Sequence, residues 1–316
     1  MKSQDVTKTP GEHAIFMVFG IREDDGAAET VNDLCGSFAA IARSLRNRFP
    51  ASDASCLMGF GADAWGRLFP EAARPKELAV FEEIKGEKHT APSTPGDLFF
   101  HIRAARLDVC HEAASIIGNA LRDAVYPIDE VQGFRYFDGR AIIGFVDGTE
   151  NPEYADERRE FAVIGKEDPE FEGGSYAFVQ KYLHDMAAWN ALSTEEQEKA
   201  IGRRKFNDVE LSDDEKPESA HNAVTNVTDE DGNELKIVRA NMPFATPSKG
   251  EFGTYFIGYA GTFTTTRKML ENMFLGDPRT ENQADNTDRL LDFSTAATGT
   301  LFFVPSDDML ETLGGE

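Results

Sequence analysis

Apolar positions along the chain follow two periods. Val31, Leu34, Phe38, Ile41, Leu45 and Phe49 recur at spacings of three and four, which predicts one face of an amphipathic helix ended by Pro50. Ahead of it, the short run Ala14–Ile21 is rich in β-branched and aromatic residues and predicts a buried strand. Leu98–Arg103 repeats the strand signal, Leu107, Cys110, Ala114, Ile117 and Leu121 repeat the helix signal, and Phe134–Phe137 predicts a further strand. The later part of the chain keeps this rhythm. Tyr176–Leu183 reads as a strand, followed by a helix that Ser193 and Glu196 open as a capping box. Leu235–Arg239 and Thr254–Tyr259 read as strands, Arg267–Phe274 as a helix, and Gly299–Val304 as the closing strand. Each half can be written strand, helix, strand, strand, helix, strand, the order of a ferredoxin-like unit. The expected architecture is α+β: a duplicated ferredoxin-like fold with antiparallel sheets and peripheral helices, divided near Arg140 into halves 1–140 and 141–316.

Composition sharpens this picture. With 316 residues, 41% of them hydrophobic and 28% charged, the chain has the make-up of a folded globular protein with room for about two domains of roughly 150 residues. Asp and Glu number 56 against 32 Lys and Arg, a net charge of −24, which repels phosphate backbones and anionic membranes. Neither nucleic acid nor membrane is expected as a partner. Cys35, Cys56 and Cys110 include no C-x-x-C pair, so neither a disulfide framework nor a zinc site is encoded. The first apolar run is too short to span a bilayer and leads into Arg22-Glu23-Asp24-Asp25 rather than a cleavage site, the expectation being a cytoplasmic protein. Two acidic stretches, Asn207–Ser219 and Thr228–Glu234, read as solvated loops. Asp231-Gly232 in the second is a hairpin turn between Ala223–Thr225 and Leu235–Val238.

Three places carry candidate chemistry. In the segment GFVDGTENP (Gly144–Pro152), Asp147 lies between an apolar run and a glycine, where a partly desolvated carboxylate suits general acid–base work; an ordinary Asp-Gly turn reads the same way. His221 stands where an acidic loop turns apolar, as a metal-ligating imidazole or as a single surface histidine. The other histidines, His13, His89, His101, His111 and His184, form no H-x-H or H-x-x-x-H set, which disfavours a multi-histidine metal site and leaves one histidine on a haem iron. Arg239 follows Ile237-Val238, so a strand either carries its guanidinium inward, where it needs an anion or a developing negative charge, or ends in solvent. No C-x-x-C-H motif exists to attach a haem covalently.

Taken together, GFVDGTENP, His221, IVRANMPF (Ile237–Phe244), EFGTYFIGY (Glu251–Tyr259) and the closing run Asp288–Val304 resemble the dye-decolorising peroxidases in their compact bacterial branch. Thr94–Arg103 adds to the resemblance in the first half, and it extends from Ala14 to about Leu313. It implies two ferredoxin-like units with haem b (iron protoporphyrin IX) in the C-terminal one. The activity it implies is reduction of hydrogen peroxide and oxidation of dye-like or phenolic aromatic reductants through a high-valent iron. By position, Asp147 and Arg239 become the distal pair and Asn241 a distal hydrogen-bonder. His221 becomes the proximal iron ligand, with Asp288 its carboxylate partner and Asp292 the second choice. Trp189, Tyr136, Tyr182, Tyr255 and Tyr259 are candidate electron relays, although aromatics in a chain with 24 Phe are mostly core. A homo-oligomer is also expected; the end at Glu316, without the long tail by which some relatives enter encapsulin shells, speaks against such packaging. A haem carrier or iron-releasing haem protein, and an acidic ferredoxin-like binding module without cofactor, are the competing classes.

Overall fold

Two strand–helix units repeat one strand order in the computed structural model, which describes residues 1–315. The first unit contains β1 (His13–Ile21), α1 (Ala27–Arg48), β2 (Ser55–Gly61), α2 (Ala62–Leu68), the short hairpin β3 (Ile84–Lys85) and β4 (Thr90–Ala91), β5 (Leu98–Ala104), α3 (Leu107–Leu121) and β6 (Val125–Phe134). After α4 (Ala155–Ala162), the second unit opens with β7 (Ser175–His184), α5 (Met186–Ala191), α6 (Thr194–Ile201), α7 (His221–Val224) and the hairpin β8 (Val227–Thr228) and β9 (Glu234–Leu235). It continues through β10 (Val238–Arg239), β11 (Met242–Thr246), β12 (Glu251–Ala260), α8 (Phe263–Leu275), β13 (Ser294–Ala296), β14 (Thr300–Val304) and α9 (Asp307–Leu313). The first unit pairs as β2-β5-β1-β6 and the second as β10-β12-β7-β14, antiparallel throughout, which is the duplicated ferredoxin-like α+β fold. The units join edge to edge where β14 pairs with β2 (Phe302 opposite Gly61, Phe303 opposite Phe60), giving one ten-stranded sheet. Gln4 pins this seam: its side chain exchanges hydrogen bonds with Met58 and donates to the carbonyl of Pro305.

Strand alternation sorts the side chains into two cores. On one face, Phe16, Phe99, Ala177, Val179, Tyr255, Ile257, Tyr259 and Phe302 form an inner core to which both units contribute. The sheet curls around it: Phe16 of β1 stacks on Tyr255 of β12 with centroids 4.1 Å apart. At Gly133 of β6, a Cβ would sit 2.5 Å from that of Met242 in β11, so the approach of the two sheet ends requires glycine. The other face packs against helices through Met17, Phe100, Phe178 and Phe303.

Several local expectations need correction. The strand expected at Phe134–Phe137 instead ends at Phe134; beyond it the chain turns through a Tyr136–Arg140 bridge with Phe137 at a positive φ of 47°. Leu235–Arg239 is two short strands, because Leu235 pairs back with Val227 while Val238 and Arg239 pair with β12. The Ala223–Thr225 arm of the expected hairpin belongs largely to α7, and the hairpin forms one step later, Val227–Thr228 against Glu234–Leu235. The first acidic stretch is tied down: Arg203 pairs with Asp208, Arg204 with Glu215, and Lys216 with Glu210. The Ser193–Glu196 capping box forms as expected, and the three cysteines are buried thiols pushed up to about 12 by desolvation.

Candidate active site

Between the outer face of β7 and β12 and the helices α7 and α8 lies a cleft of about 1000 Å³, part of it open to solvent. Its walls are mainly apolar, with Ile143, Phe145, Ile237, Phe256, Leu270 and Met273 among them. Alternation along β12 aims Thr254 and Phe256 into the cleft and Tyr255 and Ile257 into the inner core.

His221 opens α7 and lines this cleft. Its Nδ1 is 2.7 Å from Oδ2 of Asp288, whose side chain is fully buried and whose Oδ1 accepts the backbone N–H of Leu290 at 2.9 Å. The carboxylate therefore fixes the imidazole with Nδ1–H and leaves Nε2 as the acceptor. Asp292, the second candidate for that partnership, instead contacts His89 at 3.0 Å and pairs with Arg289. His184 also faces the cleft, but both of its nitrogens are engaged, Nδ1 with Ser294 at 2.7 Å and Nε2 with Thr254 at 2.9 Å. Burial lowers its pKa to about 4, so it stays neutral and spoken for.

Arg239, Asp147 and Asn241 line this cleft and also a second, polar cleft that holds Arg135, Arg140 and Arg158. They form the partition between the two. Gly144 and Gly148 take φ of 96° and 82°, left-handed turns on either side of Asp147 that side chains with a Cβ resist. Asp147 accepts a hydrogen bond from Asn241 Nδ2 at 3.1 Å, and Asn241 is itself anchored by accepting the backbone N–H of Ile257 at 3.1 Å. Asn151, absent from the sequence-based candidates, clamps the backbone of Arg239: its Oδ1 accepts Arg239 N–H at 2.7 Å and its Nδ2 donates to the Arg239 carbonyl at 2.9 Å. Its place four residues after Asp147 in GFVDGTENP was the available signal. Among the described residues no carboxylate comes within 4 Å of the Arg239 guanidinium, and its buried Nε has no hydrogen-bond partner. Burial pulls this guanidinium below its ordinary range, opposed by the charges of Asp147, Glu150 and Glu234.

The candidate relays fall in different places. Tyr182 lines the cleft and donates to Gln180 at 2.6 Å; Trp189 is buried beside Phe145 and Phe293 with its indole N–H on the Ile143 carbonyl. Tyr136 lines the polar cleft, and Tyr255 and Tyr259 belong to the inner core.

An apolar cleft with an imidazole whose Nε2 has no hydrogen-bond partner among the described residues, and a guanidinium, carboxylate and amide at its polar partition, is the kind of site that a cofactor-dependent enzyme uses, here on a duplicated ferredoxin-like fold. Comparison with known proteins makes the class specific. Residues 4–135 match the family model for Dyp-type peroxidase, N-terminal, and residues 138–309 that for Dyp-type peroxidase, C-terminal. A dye-decolorizing peroxidase of Mycolicibacterium paratuberculosis is 54% identical over 298 residues, covering 94% of this chain and 82% of the relative. The crystal structure of a dye-decolorizing peroxidase from Bacteroides thetaiotaomicron superposes with a TM-score of 0.95 at 64% identity, covering 99% of this chain and 98% of the other. A DypB variant from Rhodococcus jostii, solved in complex with haem, gives 0.93 at 49% identity and 98% coverage of both chains. The chain belongs to the Dyp-type peroxidase family, and it is a peroxidase.

Proposed function

We propose that this peroxidase works with haem b in the apolar cleft, reduces hydrogen peroxide and draws electrons from dye-like or phenolic aromatic reductants. In this reading residues 1–140 form an N-terminal half and 141–316 a C-terminal half that carries the haem. The observation that carries the reading is the pairing, in one apolar cleft, of an imidazole held through Nδ1 and a buried guanidinium with no carboxylate within 4 Å among the described residues. These residues fit a haem: apolar walls suit the macrocycle, and Nε2 of His221 suits its iron. When bound, haem supplies an iron that exchanges electrons with peroxide and with the reductant.

His221 would hold the iron, and Asp288 would orient the imidazole and make Nε2 a stronger donor. Asp147 would accept a proton from one peroxide oxygen and deliver it to the oxygen that leaves as water, and Asn241 keeps its carboxylate aimed. Arg239 would stabilise the negative charge that develops as the O–O bond breaks, at little reorganisation cost because Asn151 fixes its backbone. The polar cleft on the other side of these residues suits the entry of a small polar oxidant.

No helix among the described residues is long and apolar enough to cross a membrane. The net charge of −24 disfavours phosphate backbones and anionic membranes as partners, and we include a cytoplasmic location and a homo-oligomeric state in the proposal. The deciding experiment is a visible spectrum of the haem-loaded protein before and after one equivalent of peroxide, followed by addition of a dye. A shifted Soret band and many dye molecules oxidised per chain are expected. Stoichiometric release of haem or iron without turnover would replace this reading with a haem carrier.

A further inference from the structure

His221 stands on a helix that cannot hold itself in place. α7 has four residues, a single turn, whereas isolated helices shorter than about 12–15 residues are marginal in water. What fixes the imidazole therefore comes from outside the helix. At the far end of α7 the carbonyl of Val224 accepts a hydrogen bond at 3.1 Å from Nδ2 of Asn272 on α8. Asn272 is buried, next to Met273 and Phe274 of the helix-side core. Asparagine is a poor helix former, and a buried amide is costly unless it is bonded. The bond to α7 is what this side chain contributes.

The next residue of α8 holds the other half of the site. The carbonyl of Met273, one of those that the end of the helix leaves over, accepts the backbone N–H of Asp288 at 2.9 Å. Two consecutive residues of one helix thus support both members of the His221–Asp288 pair. Asn272 acts through the helix that bears the imidazole, and Met273 through the backbone of the carboxylate. The ring and its partner, 67 residues apart in sequence, are registered against one another by the last turn of α8.

We propose that Asn272 is a positioning residue for the iron ligand, setting the His221–Asp288 bond by tying α7 to the helix that also holds Asp288. The inference rests on the reading of His221 as the residue that holds the haem iron. Hydrogen bonds weaken steeply as distance and angle leave their optimum, so the 2.7 Å contact persists only while α7 and Asp288 keep one register. Without the amide, the Val224 carbonyl loses its partner on α8 and α7 is free to shift. Nδ1–H then bonds Asp288 less well, and Nε2 becomes a weaker donor.

The test substitutes Asn272→Leu, close in size and without a donor, and reads the ferrous holoenzyme by resonance Raman at the iron–histidine stretch. The band should move to lower frequency and broaden, and haem should pass to excess apomyoglobin on the order of tenfold faster than from the wild type. Hydrogen exchange separates positioning from general packing: the amides of Val224 and Thr225 should lose protection while those of α8 and β12 keep theirs. An unchanged band and transfer rate, or protection lost equally across α7, α8 and β12, would overturn the role of Asn272 and leave the peroxidase reading standing. Exchange on the wild type alone keeps the test open should the variant fold poorly, because α7 amides exchanging as fast as exposed loops would show that nothing anchors the helix. A wild-type ferrous holoenzyme without an iron–histidine band would overturn the ligand assignment itself.

Discussion

The two units share a strand order and differ in what covers their outer faces. In the first, α1 with 22 residues and α3 with 15 lay Val31, Leu34, Phe38, Leu45, Ile117 and Leu121 onto the sheet and fill the space. In the second, α8 with 13 residues takes the place of α3, but the stretch that should repeat α1 is broken into α5, α6 and α7, of six, eight and four residues. The cleft lies beside this broken stretch, lined by Ile201 at the end of α6 and His221 at the start of α7. The sheet that carries this hollow face, with the candidate residues beside it, runs on unbroken into a filled neighbour.

The sharpest way to break this division is His221→Ala. Haem retention after gel filtration, read from the Soret band, should fall to near nothing while the far-ultraviolet dichroism of the fold persists; full occupancy with an unchanged ferric spectrum would remove His221 as the ligand. The converse belongs to the filled unit. Phe100→Ala, at a fully buried ring packed against Phe19 and Phe38, should cost about 3–5 kcal/mol in denaturant unfolding without moving the Soret band. A displaced band there would show that the first unit shapes the haem site.

Within the hollow unit, Arg239→Leu should slow the peroxide step on the order of 10²–10³-fold, and Asp147→Asn less, with haem content preserved in both. Stopped-flow spectra rank the two, and wild-type rates in both would end their assignment as the distal pair. The smallest effect is a pH dependence. His184 is held to about 4 by burial against 6.5 when unfolded, so below pH 6.5 the unfolded chain binds a proton that the folded chain refuses. Stability from this group is complete above 6.5 and lost as pH falls towards 4, by about 3 kcal/mol. Denaturation midpoints at pH 7 and 4.5 should therefore lie closer together in His184→Gln. His101, depressed in the same direction, keeps a residual dependence in that variant, and an unaltered gap would mean that His184 does not titrate in this window.

Legibility followed the same line between units. The long helices α1 and α3 were plain in the sequence because their buried residues recur at helical spacing over four turns or more. Strand β2 was not, because Ser55-Cys-Leu-Met-Gly-Phe-Gly61 is buried on both faces, shows no alternation and has no β-branched residue. The hollow unit announced its candidate residues through turn chemistry around Asp147, but their grouping depends on contacts across the chain. Asp288 meets His221 over 67 residues, and Asn241 meets Asp147 over 94. Asn151 escaped notice because its work is done on the backbone of Arg239, which side-chain type does not advertise.

The seam between β14 and β2 has a consequence for synthesis. At translation rates of about 5–20 residues per second, roughly ten to fifty seconds separate the emergence of Gly61 from that of Phe302, its eventual neighbour. Throughout that interval the nascent first unit can pair β2 with β5 on one side only, and the waiting edge is a strand whose seven residues all end up buried. Such an edge is a template for joining two unfinished chains. Slowing initiation, which spaces ribosomes apart, should raise the yield of dispersed protein more than slowing elongation, which prolongs the exposure. The final strand is what takes that edge out of reach.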